Sequence, residues 1–252
     1  EIKNAVRRGL VPIGELLVSR LANENPVFGV DSVPFLADSY DSAWKLYQAS
    51  KPALEEKLGE QGLQLLFAVP WPPQGVYAKK DVNTIDDLKG LRFRAYNAST
   101  ERLAQLAGAV PTQIEVPDIP TAFSTGRVDA MITSPSTGAN SKAWDFLTHY
   151  YDTQAWLPKN MVIVNKKAFD GLSDAEKQAV LDAAATAETR GWEASKAETA
   201  TKTKILSDNG IKVSAPSAEL KGSLKQIGAT MVTEWQENAG SDGAAIVEAY
   251  SK

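Results

Sequence analysis

Residues 173–210 constrain the fold more than any other stretch of the chain. Ser173-Asp174-Ala175-Glu176 is a capping box: the serine hydroxyl can accept from the first free backbone amides while Glu176 reaches back to the cap. From there to Ile205-Leu206 the chain is rich in Ala, Glu, Lys and Gln, holds no proline, and has Gly191 as its one interior glycine. Asn209-Gly210 supplies the stop. At 1.5 Å per residue such a helix spans roughly 50 Å, more than an ordinary single domain needs. A coiled coil or a surface helix is one reading. The apolar positions Val180, Leu181, Ala184, Ala187 and Trp192 are too small and irregular for heptads, which favours a helix lying across two lobes.

The rest of the chain alternates strand and helix. Ile2 to Arg8 and Ile13 to Ala22 are expected as helices, separated by Gly9 and Pro12. Leu63 to Val69 reads as a buried strand stopped by Pro70-Trp71-Pro72-Pro73. Leu91 to Tyr96 alternates apolar and basic residues as a strand does, and Asn97-Ala98-Ser99-Thr100 then caps a helix running through Leu106 to Gly108. A short helix near Pro120 to Thr125, a strand at Val128 to Thr133, a helix over roughly Gly138 to Leu147 and a strand at Met161 to Val164 complete the pattern. Alternation of this kind predicts open α/β sheets.

Several chemistries are excluded early. The 252 residues contain no cysteine, which removes thiol catalysis, thiolate metal sites and disulfides together. One histidine, His149, cannot supply a serine-histidine-acid triad with its usual companions or a multi-histidine metal site, and a packed or surface role is the simpler reading for it. No GxGxxG or P-loop pattern occurs, so neither a nucleotide nor any other cofactor is expected. There is no basic run to suggest nucleic acid and no apolar run of membrane-spanning length.

The remaining candidates suit an anion. Arg94 stands at the end of a strand, where open α/β sheets collect ligands, and a guanidinium can hold a carboxylate through two parallel hydrogen bonds. Asn97 in the following turn can donate an amide hydrogen bond, and the first amides of the helix at Ser99 would add partial positive charge. Spacing alone leaves Arg92 and Arg94 equally readable as a solvated strand face. Trp71, held at a strand exit by three prolines, is a pocket wall or a seal on the core. Thr133 and Ser134 end another strand and can contact a ligand or cap the next helix. An enzyme on the same fold, a lyase or hydrolase using paired carboxylates, remains an alternative, since such carboxylates need not be close in sequence.

Three segments carry a resemblance: Leu88-Lys89-Gly90-Leu91-Arg92-Phe93-Arg94-Ala95-Tyr96-Asn97, Gly126-Arg127-Val128-Asp129-Ala130, and Val164-Asn165-Lys166-Lys167-Ala168-Phe169-Asp170-Gly171-Leu172-Ser173. In this order and separation they closely resemble the solute-binding proteins of TRAP transporters, the DctP-like family. The resemblance implies a two-lobed periplasmic receptor, with no catalytic activity, that closes on a small organic acid and delivers it to a membrane permease. It implies open sheets with a ligand cleft between the lobes. Residues 1–70 with about 160–205 would form one lobe and 71–159 with about 206–252 the other. The family's carboxylate-gripping arginine falls on Arg94 and its ligand-contacting asparagine on Asn97. Polar contacts fall on Thr133 and Ser134, and lining positions on Trp71 to Gln74, on Gln154 to Trp156 and on Glu15. Many members carry a second arginine where this chain has Pro72-Pro73-Gln74. With the tryptophans, that departure points to an aromatic or apolar 2-oxo or 2-hydroxy monocarboxylate. The strand-helix-strand unit with which the family normally begins is expected to be missing ahead of Ile2 to Gly14.

Overall fold

A computed structural model describes residues 1–252. The first helix, α1 (Ile2–Arg7), leads into strand β1 (Ile13–Leu17). Two 3-10 turns (Val18–Leu21 and Pro26–Ser32) precede α2 (Tyr40–Gly59) and β2 (Leu63–Pro70). Next come β3 (Gly75–Ala78), β4 (Arg92–Ala95), α3 (Ala98–Leu106), β5 (Val110–Gln113) and α4 (Ile119–Ser124). They are followed by β6 (Ala130–Thr133), α5 (Pro135–Asn140), β7 (His149–Tyr151), β8 (Lys159–Asn165) and α6 (Lys166–Asp170). The long α7 (Asp174–Asp208), β9 (Lys212–Ser214) and α8 (Ala218–Ser251), broken at Gly240, complete the chain.

The strands form two sheets, one in each lobe. The smaller has the order β1-β8-β2 with both pairings antiparallel. The larger is mixed, in the order β5-β4-β6-β3-β7-β9. The chain passes between them in the segment from Trp71 to Gln74, in the segment from Asp152 to Pro158, and along α7. The first two crossings are laced together: Trp71 N donates to Pro158 O at 2.8 Å, Gln74 N to Trp156 O at 3.0 Å and Ala155 N to Gln74 O at 3.0 Å. Prolines 70, 72 and 73 fix φ in and just before the first crossing and limit how far it can flex.

The long helix forms as its capping box requires. The Ser173 side chain accepts from the Glu176 amide, and Glu176 accepts from Ser173 N at 2.8 Å. It packs on β2 of the small sheet and on α5 and β9 beside the large one, so it does cross both lobes. Trp192 is its main anchor, buried and donating from Nε1 to Ala68 O at 3.0 Å. One position further back, Gly191 allows the close approach, because a Cβ there would meet Val69 Cγ2 at 2.4 Å. The final helix α8 also serves both lobes, packing on α2 and on α3, whereas β9 belongs to the large sheet alone.

Two expected helices are corrected. Residues 13–22 form a strand and then a 3-10 turn: β1 pairs with β8 from Ile13↔Val164 to Leu17↔Asn160. Gly14 lies under α1, where a Cβ would meet Val6 and Ile2 side chains at 2.7 and 2.8 Å. Long-range pairing has overridden a local helical pattern here. The helix expected over Gly138–Leu147 begins and ends earlier. Ser134 caps it, Pro135 occupies its first turn, and Lys142 at φ 52° reverses the chain into a 3-10 turn at Ala143–Asp145.

Gly191→Ala should lower stability by about 1–2 kcal/mol, because a Cβ meeting Val69 at 2.4 and 2.9 Å puts the overpacking cost in the upper part of its range, about 2–3 kcal/mol, against about 1 kcal/mol of helix propensity gained. Gly222→Ala, on α8 with nothing within 4 Å of the new Cβ, should raise stability by roughly 0.5–1 kcal/mol. Urea unfolding of the two variants reads the opposite signs.

Candidate ligand site

Strand β4 carries two arginines with different fates. Arg92 is half exposed and holds Asp129 through Nε at 2.8 Å and Nη2 at 2.7 Å, a bidentate pair that ties the start of β4 to the residue ahead of β6. Arg94 is buried, and its only protein hydrogen bond runs from Nε to Ile114 O at 3.0 Å. No carboxylate forms an ion pair with it. The Tyr96 ring lies beneath the guanidinium, with its centroid 5.0 Å from the guanidinium carbon. Burial lowers the Arg94 pKa to about 10, against the opposing pull of Tyr96 and Glu115. A buried charge without a counterion is unfavourable, and an entering anion would supply one.

The space beside Arg94 is a cavity of about 210 Å³ between the lobes. Trp71, Gln74, Thr133 and Ser134 line it together with Arg94, so five of the residues singled out from the sequence meet in one place. Trp71 is fixed by its indole N–H, which donates to Asn160 Oδ1 at 2.9 Å. Gln74 Oε1 accepts from the Tyr96 hydroxyl at 3.0 Å, and Gln74 Nε2 donates to Pro72 O at 3.0 Å. That chain ties the crossing to the floor under Arg94. Burial raises the Tyr96 pKa, so the phenol stays a neutral donor. Ser134 Oγ accepts from Thr137 N at 3.0 Å, as a helix cap should. Thr133 is buried at the cavity wall with a hydroxyl that has no protein partner.

Three of the expected residues are placed elsewhere. Asn97 caps α3 through Oδ1, accepting from Thr100 N at 2.8 Å, and its Nδ2 donates to Ser19 Oγ at 2.8 Å in the other lobe. The first residues of α3, Ala98 and Ser99, face a different cavity shared with Ser19 and Trp235, so the helix start does not add to the charge at Arg94. Trp156 is buried behind Gln74 with its indole N–H unpartnered. Glu15 lies in a neighbouring cavity beyond the wall formed by Trp71 and Asn160, and accepts from Asn160 Nδ2 at 2.9 Å.

The cleft also holds residues that sequence reasoning passed over: Arg20, Tyr96, Glu115, Thr137 and Asn160. Arg20 enters from the turn after β1 and holds both carboxylate oxygens of Glu115, which follows β5. That hydrogen bonding keeps the Glu115 pKa below the usual carboxylate range. The expectation of a single arginine in the cleft is therefore amended. The one sequence signal for Arg20 is an arginine just past a strand end, and the helical pattern of residues 13–22 hides that strand.

The sequence model of bacterial extracellular solute-binding protein family 7, DctP, matches residues 1–238. The structure of DctP7, a Bordetella pertussis extracytoplasmic solute receptor binding pyroglutamic acid, is 51% identical with a TM-score of 0.98, covering 100% of this chain and 84% of that one. DctP6 of the same organism, also binding pyroglutamic acid, is 46% identical with a TM-score of 0.98 over 100% of this chain and 83% of its own. A solute-binding protein of Albidiferax ferrireducens is 25% identical over 219 residues, 83% of this chain and 63% of its own length. The chain thus spans less than two thirds of that curated relative.

Arg94→Met replaces the unpaired charge with an apolar side chain of similar length, so the ligand-free protein should melt at the same temperature or higher. A clear fall in the ligand-free midpoint would show that Arg94 is held for the fold instead.

Proposed function

Because the chain belongs to bacterial extracellular solute-binding protein family 7, we propose that it captures a small organic monocarboxylate in the cleft above Arg94 and delivers it to a TRAP membrane permease from the periplasmic side. The observation that carries this reading is the buried guanidinium whose terminal N–H groups have no protein acceptor and border a 210 Å³ cavity. A carboxylate placed there gains two charge-assisted hydrogen bonds and neutralises a charge already desolvated, so most of the cost of forming the pair has been met in folding. Thr133 supplies a free hydroxyl, Gln74 and Ser134 polar edges, and Trp71 a rigid apolar wall.

Pyroglutamate is the ligand we favour. DctP7 and DctP6 of Bordetella pertussis bind pyroglutamic acid, and at 51% and 46% identity their pockets are a reasonable guide. Its single carboxylate suits Arg94, its compact ring suits the cavity, and its lactam N–H and C=O suit a wall that mixes hydroxyls with an indole face. An aromatic 2-oxo or 2-hydroxy acid, suggested by Trp71, is the second reading. Residues 1–70 with about 160–205 would move as one lobe and 71–159 with β9 as the other, α8 lying along both instead of with the second alone, and the laced crossings at Trp71–Gln74 and Ala155–Pro158 would be the hinge.

Calorimetry with pyroglutamate, benzoylformate and glutarate tests the ligand class: pyroglutamate should bind most tightly. Binding of benzoylformate alone would move the assignment to aromatic acids, and binding of glutarate alone would remove the monocarboxylate reading. Arg94→Lys should weaken pyroglutamate by about 100-fold, close to 3 kcal/mol, because a single ammonium cannot reproduce the bidentate grip.

A further inference from the structure

Three charged side chains line the cleft: Arg94 at its floor, and Arg20 and Glu115 on opposite sides of its mouth. Arg20 comes from the small-sheet lobe and Glu115 from the large-sheet lobe, 95 residues apart in sequence. We propose that Glu115 sets how many carboxylates the cleft accepts, by engaging Arg20 and leaving Arg94 as the one cation available to a ligand. This rests on the monocarboxylate reading above.

The charge count is the core of the argument. Two arginines and one carboxylate leave the cleft with one uncompensated positive charge, which a monocarboxylate neutralises. A dicarboxylate would bring a second negative charge to a mouth where Glu115 repels it and where Arg20 is already paired. No other side chain on the cleft wall offers a cation. The next charged groups are already engaged: Asp31 and Lys159 form a buried pair at 3.5 Å, and Glu15 beyond the wall holds Asn160 Nδ2. Arg20 and Glu115 are 41% and 53% exposed, so the pair adds little to the stability of the fold. Its consequence falls on what enters the cleft, because a second carboxylate at the mouth would meet Glu115 at close range and find Arg20 already engaged. Glu115 is ionised at neutral pH as any ordinary carboxylate is, and its hydrogen bonding to Arg20 lowers its pKa further. The crossing has no arginine at Pro72-Pro73-Gln74, and the cleft's second arginine, Arg20, comes from the turn after β1 and is held by Glu115.

Glutarate is the probe, since it keeps a five-carbon chain and replaces the lactam with a second carboxylate. Glutarate should bind Glu115→Gln at least about tenfold more tightly than it binds the unsubstituted protein. That gain should disappear in the double variant Arg20→Gln/Glu115→Gln, which restores a single free cation. A gain smaller than about tenfold, or one that survives in the double variant, overturns the proposal. So does an unsubstituted protein that binds glutarate as tightly as pyroglutamate. If the unsubstituted protein binds neither pyroglutamate nor glutarate but Glu115→Gln gains glutarate and the double variant loses it again, the ligand assignment fails and the role of Glu115 stands. Thermal midpoints of all three proteins confirm that folding is intact.

Discussion

The structure is organised around a positive charge that the fold buries and does not neutralise. Arg94 keeps one hydrogen bond to a neutral carbonyl and one aromatic face, and leaves its remaining donors to the cavity. In water such a group would be fully hydrated, so its burial costs free energy that the protein's own contacts do not return. The fold divides the labour accordingly. Strand β4 and Tyr96 hold the guanidinium rigid, and Gln74 braces Tyr96 from the crossing. The parts that complete the anion site come from other elements. Preorganisation of this kind places the cost in folding and leaves binding with a larger net gain.

The crossings make this placement possible. The segment after β2 and the segment before β8 run side by side, share backbone hydrogen bonds, and carry Trp71, Gln74 and Pro158 to the cavity wall. Asp31 reinforces the second crossing from within: one carboxylate oxygen accepts from Lys159 N at 2.8 Å and the other from Ser32 Oγ at 3.1 Å. Burial raises the Asp31 pKa, and the charge of Lys159 opposes that rise. The lobes are joined by these laced, proline-stiffened segments and by α7, and α8 packs on both, so the connections converge beside the space above Arg94.

The lobes also meet directly, at the mouth of the cleft and beside it. Asn97 reaches Ser19, Arg20 reaches Glu115, and Ser99 Oγ donates to Ser32 O at 2.7 Å. None of these contacts is strong alone, because the charged pair is exposed and the others are single neutral hydrogen bonds. Together they tie the two lobes to one another beside the cavity, and the Arg20–Glu115 pair is the one of them that also lines it.

Local signals determined a good deal of this protein. The capping box at Ser173 and the run without proline specified α7, alternation specified β4, and apolar runs specified β2 and β6. The absence of cysteine and the single histidine narrowed the chemistry, and three motifs identified the family together with Arg94. Tertiary structure decided what depends on partners far along the chain. Residues 13–17 are a strand because β8 pairs with them, although their own pattern suits a helix. Residues 40–59 are a helix despite Pro52, because burial of Leu46, Tyr47, Leu54 and Leu58 outweighs the lost backbone bond. Asn97 caps α3 as its place ahead of that helix predicts, but its bond to Ser19 and the burial of Trp156 behind the crossing depend on contacts that spacing could not place. The cleft's charge balance needs Arg20 and Glu115 to meet across 95 residues, and that meeting exists only once the two sheets have been folded against one another.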